Sequence, residues 1–272
     1  GPSSPCSRIR FSRQGLSSTH GLLANGGYWP ETPCPLAPDS PAVKALSAGS
    51  HGDPLAVLGR HDCAGQEVFR CFLPRTRIAW LADERRPMRR APGTDLFEYL
   101  ADPGEVPPHY RVICEPDDGG QYVREDPYSF WPQLQPEEMD AFHGGHHRYA
   151  QSLLGARPHS VEGVGGTLFA VWAPNAGRVS VIGDFNQWDG RRHPMRLHAG
   201  QGIWELFIPG VSEGSYRFEI RNAKTGELHI KSDPFARSGE YRPGTASILC
   251  GHALHPWQDG DWVNRKRSES WH

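Results

Sequence analysis

An internal repeat constrains the fold of this chain more than any other feature of its sequence. Five segments of the first half resemble five segments of the second half, in the same order. The matched pairs are VFRCFLP (68–74) with LFAVWAP (168–174), RPMRR (86–90) with HPMRL (193–197), LFEYL (96–100) with IWELF (203–207), HYRVI (109–113) with SYRFE (215–219), and EDPYSF (125–130) with SDPFAR (232–237). Five colinear matches predict two copies of one domain, each of about 80 to 90 residues.

The offset between the two copies changes once along the repeat. It is 100 residues at the first matched pair and 106 or 107 at the others. Pro87 follows Pro74 by 13 residues, whereas their counterparts in the second copy are 20 residues apart. The natural candidate for the seven additional residues is GDFNQWD, residues 183–189. The loop that contains Trp188 is therefore predicted to have no counterpart in the first copy.

The repeated segments have the pattern of short strands. Tyr216, Phe218 and Ile220 alternate with Arg217 and Glu219, which is the two-residue period of a strand with one buried face. Turn signals recur roughly every 8 to 12 residues, and the 31 glycines and 25 prolines also favour turn-rich β structure. The sequence predicts an all-β fold with two immunoglobulin-like antiparallel β-sandwich modules in tandem, joined by a short helical connector.

The segments outside the repeat suggest how these modules are separated. Pro, Gly and Ser are frequent before residue 51 and show no sustained period, which is typical of irregular structure. Glu137 and Glu138 suit the first turn of a helix that Gly155 would end. The expected organisation is an irregular segment at 1–50, a first module at 51–132, a helical connector at 133–160, a second module at 161–250 and a further connector at 251–272.

Charge and cysteine content exclude several classes of function. The chain has 29 Lys and Arg against 31 Asp and Glu, so no global field attracts nucleic acid or an anionic membrane. It contains no apolar run of about 18 residues that would predict a membrane-spanning helix, and its N-terminus differs from a signal peptide. The spacing of its six cysteines matches no CxxC zinc pattern. We expect a cytoplasmic protein with free thiols and no cofactor.

A histidine cluster is the only candidate for a metal site. His143, His146 and His147 lie close together in the segment FHGGHHRY. Zinc would need a fourth ligand, and adjacent histidines point apart on a helix. A surface role is therefore favoured, and we predict no metal site.

Three acidic residues are candidates for chemistry on sugars. Asp184, Asp189 and Glu205 could supply the two carboxylates that glycoside cleavage requires, but only composition supports this. The short loops of a sandwich form no deep cleft, and turn geometry better explains Asp184 and Asp189. We therefore predict no catalytic residue in this chain.

Trp188 is the strongest candidate for a binding residue. Indole rings stack on the flat apolar faces of sugars, and exposed aromatic side chains usually mark a binding site. A nearby polar group such as Arg217 could hydrogen-bond to sugar hydroxyls. The alternative is that Trp188 folds back to cover an open end of the sandwich. The residues alone leave both possibilities open.

The repeated motifs also resemble a known family. AVWAPNAGRVSVIGDFNQWDGRRHPM, followed by GIWELFIPG, YRFEI and KSDPFA, resembles the second N-terminal module of bacterial glycogen branching enzymes, which is a carbohydrate-binding module of the family 48 type. HGDPLAVLGRH, with FLP and YRV, resembles the first N-terminal module of the same enzymes. WQDGDWVNRKRSESWH resembles the connector to their catalytic barrel. The resemblance covers roughly residues 51–262.

The resemblance implies a role in glycogen biosynthesis. Family members cut an α-1,4 glucan and re-attach the piece by an α-1,6 bond, using an aspartate and a glutamate in a (β/α)8 barrel. None of those positions lies in this sequence, so we expect an N-terminal fragment that is inactive alone. Its expected partners are α-glucans, such as glycogen or amylose-like chains, and the barrel of the same polypeptide. The alternative is that the modules only brace the barrel, without glycan affinity, and expose an apolar patch when the barrel is absent.

The resemblance also implies which residues would contact glucan. Related modules use a Trp in the GDFNxW loop and a basic residue after the Tyr of a YKF-like strand. Trp188 and Arg217 match these positions, and Asn186 of the same loop completes the expected glucan-binding set.

Two further positions of the family pattern differ in this chain. Related modules have a second Trp before the Asp-Pro dipeptide, where this sequence offers His229 or Ile230. They also have an Asn in the last strand, at a position that falls near Ser247. With one stacking ring instead of two, we expect weak glucan binding.

Overall fold

The computed structural model describes residues 20–22, 28–30, 34–82, 84–145 and 150–249. Its strands pair antiparallel in two sheets in the first copy and two in the second, with a separate two-stranded hairpin near the N-terminus. The predicted all-β fold of antiparallel sandwich modules is confirmed. None of the helices in the described ranges is long and apolar enough to cross a membrane.

The regular elements of the N-terminal hairpin and the first copy are short. The strands are β1 (His20–Leu22), β2 (Tyr28–Pro30), β3 (Gly59–Cys63), β4 (Gln66–Phe72), β5 (Thr76–Leu81), β6 (Arg86–Pro87), β7 (Arg89–Arg90), β8 (Leu96–Ala101), β9 (Arg111–Pro116) and β10 (Tyr122–Glu125). The helix α1 spans Pro41–Ser47, and single 3₁₀ turns span Pro54–Ala56 and Pro127–Ser129.

The second copy follows two connector helices. These are α2 (Pro136–His143) and α3 (Ala150–Leu153). The strands are β11 (Gly155–Val161), β12 (Val164–Trp172), β13 (Ala176–Gly183), β14 (Arg196–His198), β15 (Ile203–Pro209), β16 (Gly214–Asn222), β17 (Leu228–Lys231), β18 (Ser238–Gly239) and β19 (Ser247–Leu249), and a 3₁₀ turn spans Asp184–Asn186.

Strand order confirms that the chain contains two copies of one domain. One sheet of the first copy has the order β3-β4-β8-β7, and the matching sheet of the second copy has the order β11-β12-β15-β14. In the other sheets, β9 lies between β5 and β10 just as β16 lies between β13 and β17. The repeated segments VFRCF and LFAVW lie on β4 and β12, which are equivalent strands.

A buried tyrosine–aspartate pair recurs at the same place in both copies. The Tyr110 hydroxyl donates to Asp126 Oδ2 at 2.5 Å, and the Tyr216 hydroxyl donates to Asp233 Oδ2 at 2.6 Å. Burial raises the pKa of both carboxyl groups. The repeated Asp-Pro dipeptides therefore anchor the turn that follows each sheet, which explains why these segments match.

The additional residues of the second copy lie where the offset predicts. Trp80 pairs with Pro87 in the first copy, and Ser180 forms an isolated bridge with Pro194 in the second. Six residues separate the first pair and thirteen separate the second. The same contact is thus kept in both copies, and the seven additional residues bulge out between its ends.

The N-terminal segment differs from the expectation of an irregular segment up to residue 50. Ser40 Oγ accepts a hydrogen bond from the Val43 amide and caps α1. Val43 and Leu46 lie three residues apart on one face of α1, and both are buried. The sequence does not reveal this helix, because its few apolar residues lie within a proline-rich segment. The helix is stabilised by packing rather than by intrinsic helix propensity.

The connector expected to be helical at 133–160 is shorter than that. Helical structure is confined to α2 and α3, and β11 begins at Gly155 and pairs with β12 along its whole length. Met139 and Leu153 of the connector pack with Leu168 and Phe207 of the second copy. The connector therefore covers the outer face of the β12 and β15 sheet, whereas the exposed Leu228 and Ile230 lie on the other sheet, where β17 pairs with β16.

The two sandwiches share part of their core. One cluster of buried side chains includes Leu96 and Tyr128 from the first copy together with Val181, Trp204 and Phe218 from the second. Close packing of this kind transmits strain and resists relative movement. The first copy also has a separate core of its own, which includes Phe69 and Val112, so the shared cluster joins two packed sandwiches at one junction.

Candidate glucan-binding surface

The loop after β13 has an unusual backbone. Gln187 and Trp188 both have a φ of +58°, a left-handed conformation that non-glycine residues rarely adopt. Each such residue costs on the order of 1–3 kcal/mol and persists only where its surroundings enforce the conformation. The Trp188 amide donates to Gly183 O at 3.1 Å, which closes the loop behind the tryptophan. The loop is therefore held in one conformation by its contacts.

Asn186 holds this loop from the inside. It is buried, and its Oδ1 accepts from the Gly183 amide at 2.9 Å. Its Nδ2 donates to Val181 O and to His193 Nδ1, both at 2.8 Å. All polar atoms of the side-chain amide are occupied by these bonds. In this structure the Asn186 amide therefore holds the loop, and the expected contact of Asn186 with glucan stays a prediction.

The bond from Asn186 determines the protonation state of His193. Since Asn186 Oδ1 already accepts from an amide, its Nδ2 must donate, and His193 Nδ1 must accept. Burial, followed by the charges of Arg124 and Arg192, lowers the pKa of His193 well below 6.5. His193 is therefore a neutral, buried support of the loop.

Trp188 is presented at the surface. Its side chain is 39% exposed, and its Nε1 donates to Asp184 Oδ1 at 3.1 Å. Asp184 Oδ2 in turn accepts from the Ser215 amide at 2.7 Å, which ties the indole to the start of β16. A residue that closed the end of the sandwich would be buried, so the exposure of Trp188 favours the binding interpretation over the covering one.

Arg217 lies beside the indole. The centre of its guanidinium is 6.0 Å from the centroid of the Trp188 ring, which is the range of a cation–π contact. A terminal nitrogen of Arg217 donates to Thr245 Oγ1 at 2.6 Å. The structure thus brings together two of the three residues expected to contact glucan, and it offers a flat ring next to a hydrogen-bond donor.

Strand β17 extends the same face. Ile230 is directly opposite Glu219 on β16, and opposite residues in an antiparallel pair share one face of the sheet. Glu219 and Arg217 are two residues apart, so Ile230 shares the face of Arg217. Ile230 is 52% exposed. Of the two residues offered in place of a second tryptophan, Ile230 rather than His229 therefore occupies the binding face.

Ser247 does not belong to this surface. It is buried, and its Oγ accepts from the Asp233 amide at 2.9 Å. Thr245 is the last-strand residue that contacts Arg217. The sequence suggested a polar contribution near position 247, and the polar contact comes from Thr245, two positions earlier and just before β19 begins.

The three acidic candidates are all used in local structure. Asp184 anchors Trp188, and Asp189 pairs with Arg191 at 2.7 Å. Glu205 is buried in the other sheet, where His198 Nε2 lies 2.7 Å from its Oε2. No two of these carboxylates face a common cleft in the described part of the chain. They support turns and sheet contacts rather than glycoside chemistry.

The described residues contain no group of three His, Cys, Asp or Glu side chains placed to hold a metal ion. His143 Nδ1 lies 3.0 Å from Met139 O within α2. His146 and His147 lie outside the described residues, as do two of the six cysteines. The cysteines within the described ranges are free thiols, namely Cys34, Cys63, Cys71 and Cys114.

Comparison with known families matches each sandwich separately. Residues 39–128 match the N-terminal domain of the alpha-1,4-glucan branching enzyme GlgB. Residues 153–236 match carbohydrate-binding module 48, the isoamylase N-terminal domain. The second match contains the Trp188 loop, Arg217 and Ile230. The first match begins before residue 51 and includes α1, in agreement with the packing of that helix.

Curated relatives match across both modules. The 1,4-alpha-glucan branching enzyme GlgB of Cellvibrio japonicus is 44% identical over 237 residues, which is 83% of this chain and 32% of that protein. GlgB of Pseudomonas putida is 46% identical over 82% of this chain and 31% of that protein. The pullulanase type I structure from Bacillus subtilis, complexed with maltose, has a TM-score of 0.29 and 15% identity over 68% of this chain and 25% of that chain, too low to support an inference.

The chain spans about a third of the length of the curated relatives that it matches. Within that third, the order of the two family matches follows the order of the two sandwiches. The chain therefore matches the N-terminal part of the 1,4-alpha-glucan branching enzymes GlgB, with a match to the GlgB N-terminal domain followed by a match to carbohydrate-binding module 48.

Proposed function

We propose that the second sandwich binds α-1,4-linked glucan through Trp188 and Arg217. In this proposal, the two modules guide glucan toward the barrel of the same polypeptide during glycogen biosynthesis. The barrel would cut an α-1,4 glucan and re-attach the piece by an α-1,6 bond. The exposed Trp188 ring beside Arg217, within a match to a carbohydrate-binding module, is the observation that carries the proposal.

The chemistry of this surface suits a sugar. The apolar C–H face of a glucose ring can stack on an indole, and the Arg217 guanidinium can donate to its hydroxyls. One aromatic contact contributes about 1 kcal/mol beyond its buried area, so a single site binds weakly. Glycogen presents many chain ends, and repeated weak contacts with one particle add to a measurable avidity. We place this activity in the cytoplasm, where the free thiols of the described cysteines would persist.

Affinity electrophoresis in a glycogen-containing native gel tests the proposal. Wild-type protein is expected to migrate more slowly in glycogen than in its absence, and Trp188→Ala is expected to be retarded much less than the wild type. Trp172→Ala is the matched control, because Trp172 is also exposed, at 51%, but lies away from the loop. Equal migration of the wild type with and without glycogen would overturn the proposal.

A structural role is the second candidate function. Leu228 and Ile230 on β17 are 46% and 52% exposed, and both lie on the open face of the β16 sheet. The barrel of the same polypeptide could cover such an apolar strip, with the modules only bracing it. This alternative predicts no glycogen retardation of any variant, together with higher solubility of Leu228→Ser. Retardation that depends on Trp188 contradicts it.

A further inference from the structure

A cleft of about 360 Å³ lies between the two sandwiches. The first copy contributes the β9–β10 turn and the strand β10, including Tyr122 and Glu125. The second copy contributes Phe185 and Arg192 from the additional loop and Val211 after β15. Its volume lies within the range of about 300–1,000 Å³ that is usual for small-molecule pockets. The loop that exposes Trp188 on one side thus forms a wall of this cleft on the other.

Two residues that line the cleft each have a buried side-chain polar atom without a hydrogen-bond partner. These are Arg192 Nε and Glu125 Oε2. The Arg192 side chain is otherwise fixed, because one of its terminal nitrogens donates to Pro74 O at 2.5 Å. Buried polar groups are nearly always satisfied, so an unsatisfied donor and acceptor at one cavity indicate a ligand that offers both. A sugar hydroxyl donates and accepts at once.

The charges around the cleft are balanced. Three arginines and three acidic residues line it: Arg75, Arg124, Arg192, Asp117, Asp118 and Glu125. His193, which also lines it, is neutral. An anionic ligand such as a phosphate would be repelled by the three carboxylates. An uncharged polyol can instead form hydrogen bonds with both the arginines and the carboxylates. Phe185 and Val211 add apolar surface for the C–H face of a ring.

We propose that this cleft binds the end of an α-1,4-linked glucan chain, as a second site distinct from the Trp188 surface. Arg192 and Glu125 would bond to hydroxyls of the terminal glucose units. Only the identity of the ligand as a glucan rests on the proposed function; the cleft and its polar groups do not. The proposal differs from the surface site in its size preference, because a cleft of this volume accepts short oligomers as well as chain ends.

Calorimetric titration of the full chain with maltotriose tests this proposal. The Trp188→Ala variant serves as the background, since it removes the surface site and leaves the cleft. We expect Trp188→Ala to bind maltotriose, and Glu125→Gln in that background to weaken binding at least about tenfold by removing a charged acceptor. Val211→Trp, which fills the cleft from its apolar wall, is expected to abolish binding. Glu138→Gln is the matched control, because Glu138 is exposed on α2.

Three outcomes would overturn the proposal. They are no heat of binding in the Trp188→Ala background, unchanged affinity in both Glu125→Gln and Val211→Trp, or binding of inorganic phosphate in place of maltotriose. The difference in glycogen retardation between the wild type and Trp188→Ala, measured in parallel, reports the surface site alone. Failure of the cleft with retardation intact is thereby distinguished from failure of both.

Discussion

Neighbouring residues in the loop after β13 have opposite roles. Trp188 points its ring outward, whereas Asn186 turns inward and uses its whole amide on the backbone and on His193. The sequence placed both residues in one loop, but it could not tell which side chain points inward. Inward and outward positions in an irregular loop follow no regular period. The 3₁₀ turn and two left-handed residues set these directions.

His193 makes stability depend on pH. In the unfolded chain its imidazole has a pKa of about 6.5, and burial lowers that pKa in the folded protein. Below about pH 6.5 the unfolded chain therefore binds a proton that the folded protein excludes. This contribution to stability is complete above pH 6.5 and is lost as the pH falls, at up to about 1.4 kcal/mol per pH unit.

Urea unfolding of wild type and His193→Gln at several pH values between 7.5 and 5.5 measures this effect. The free energy of unfolding of His193→Gln is expected to depend less steeply on pH, by about 1 kcal/mol per unit below pH 6.5. His229→Gln removes an exposed imidazole and is expected to keep the wild-type slope. Parallel pH dependence of wild type and His193→Gln would contradict the assignment of a neutral buried histidine.

At the level of elements, β16 and β17 determine the shape of the proposed binding face. Ile230 occupies the position where the face continues beyond Arg217, and it supplies an aliphatic side chain rather than a flat ring. The alternation of Tyr216, Phe218 and Arg217 was readable in the sequence, because one side of β16 is buried. Which of His229 and Ile230 faces outward depends on strand register, which local sequence does not specify for a strand exposed on both faces.

Ile230→Trp is expected to strengthen glycogen retardation. A second indole on the face of Arg217 would stack on a further glucose ring and add about 1 kcal/mol, which is several-fold in affinity. Leu100→Trp is the matched control, because Leu100 is also exposed but lies on β8 of the first copy. Gel retardation that is the same in Ile230→Trp and wild type would show that β17 does not take part in the binding face.

At the level of the whole molecule, the repeat predicted the topology, but not how the copies meet. Equivalent strands can be aligned from the sequence because, in each copy, strands that bury one face show apolar residues at every second position. The cluster that joins Leu96 and Tyr128 to Trp204 has no such period. Helix α1 was missed for the same reason, since its two buried residues contact a core built by distant strands.

Tyr128→Phe tests the junction between the copies. The buried Tyr128 hydroxyl donates to Pro194 O at 2.9 Å across the junction, and phenylalanine keeps the packing while it removes this bond. The free energy of unfolding is expected to fall by about 1–2 kcal/mol, measured by urea denaturation, with a single transition retained. Tyr241→Phe, at a position 97% exposed, is expected to change nothing. An unaltered unfolding free energy in Tyr128→Phe would show that the bond does not couple the copies.

The shared core also has a geometric consequence. Two binding sites joined by a flexible linker are related only by an effective concentration, which falls as the linker lengthens. In the described part of the chain, the two sandwiches are joined by shared apolar packing and by the Tyr128–Pro194 bond, so we expect the Trp188 surface and the cleft to keep one separation and orientation. Glucan segments bound at both places would be held at a fixed spacing. The packing of the two sandwiches would set that spacing, which would not be averaged over the motions of a linker.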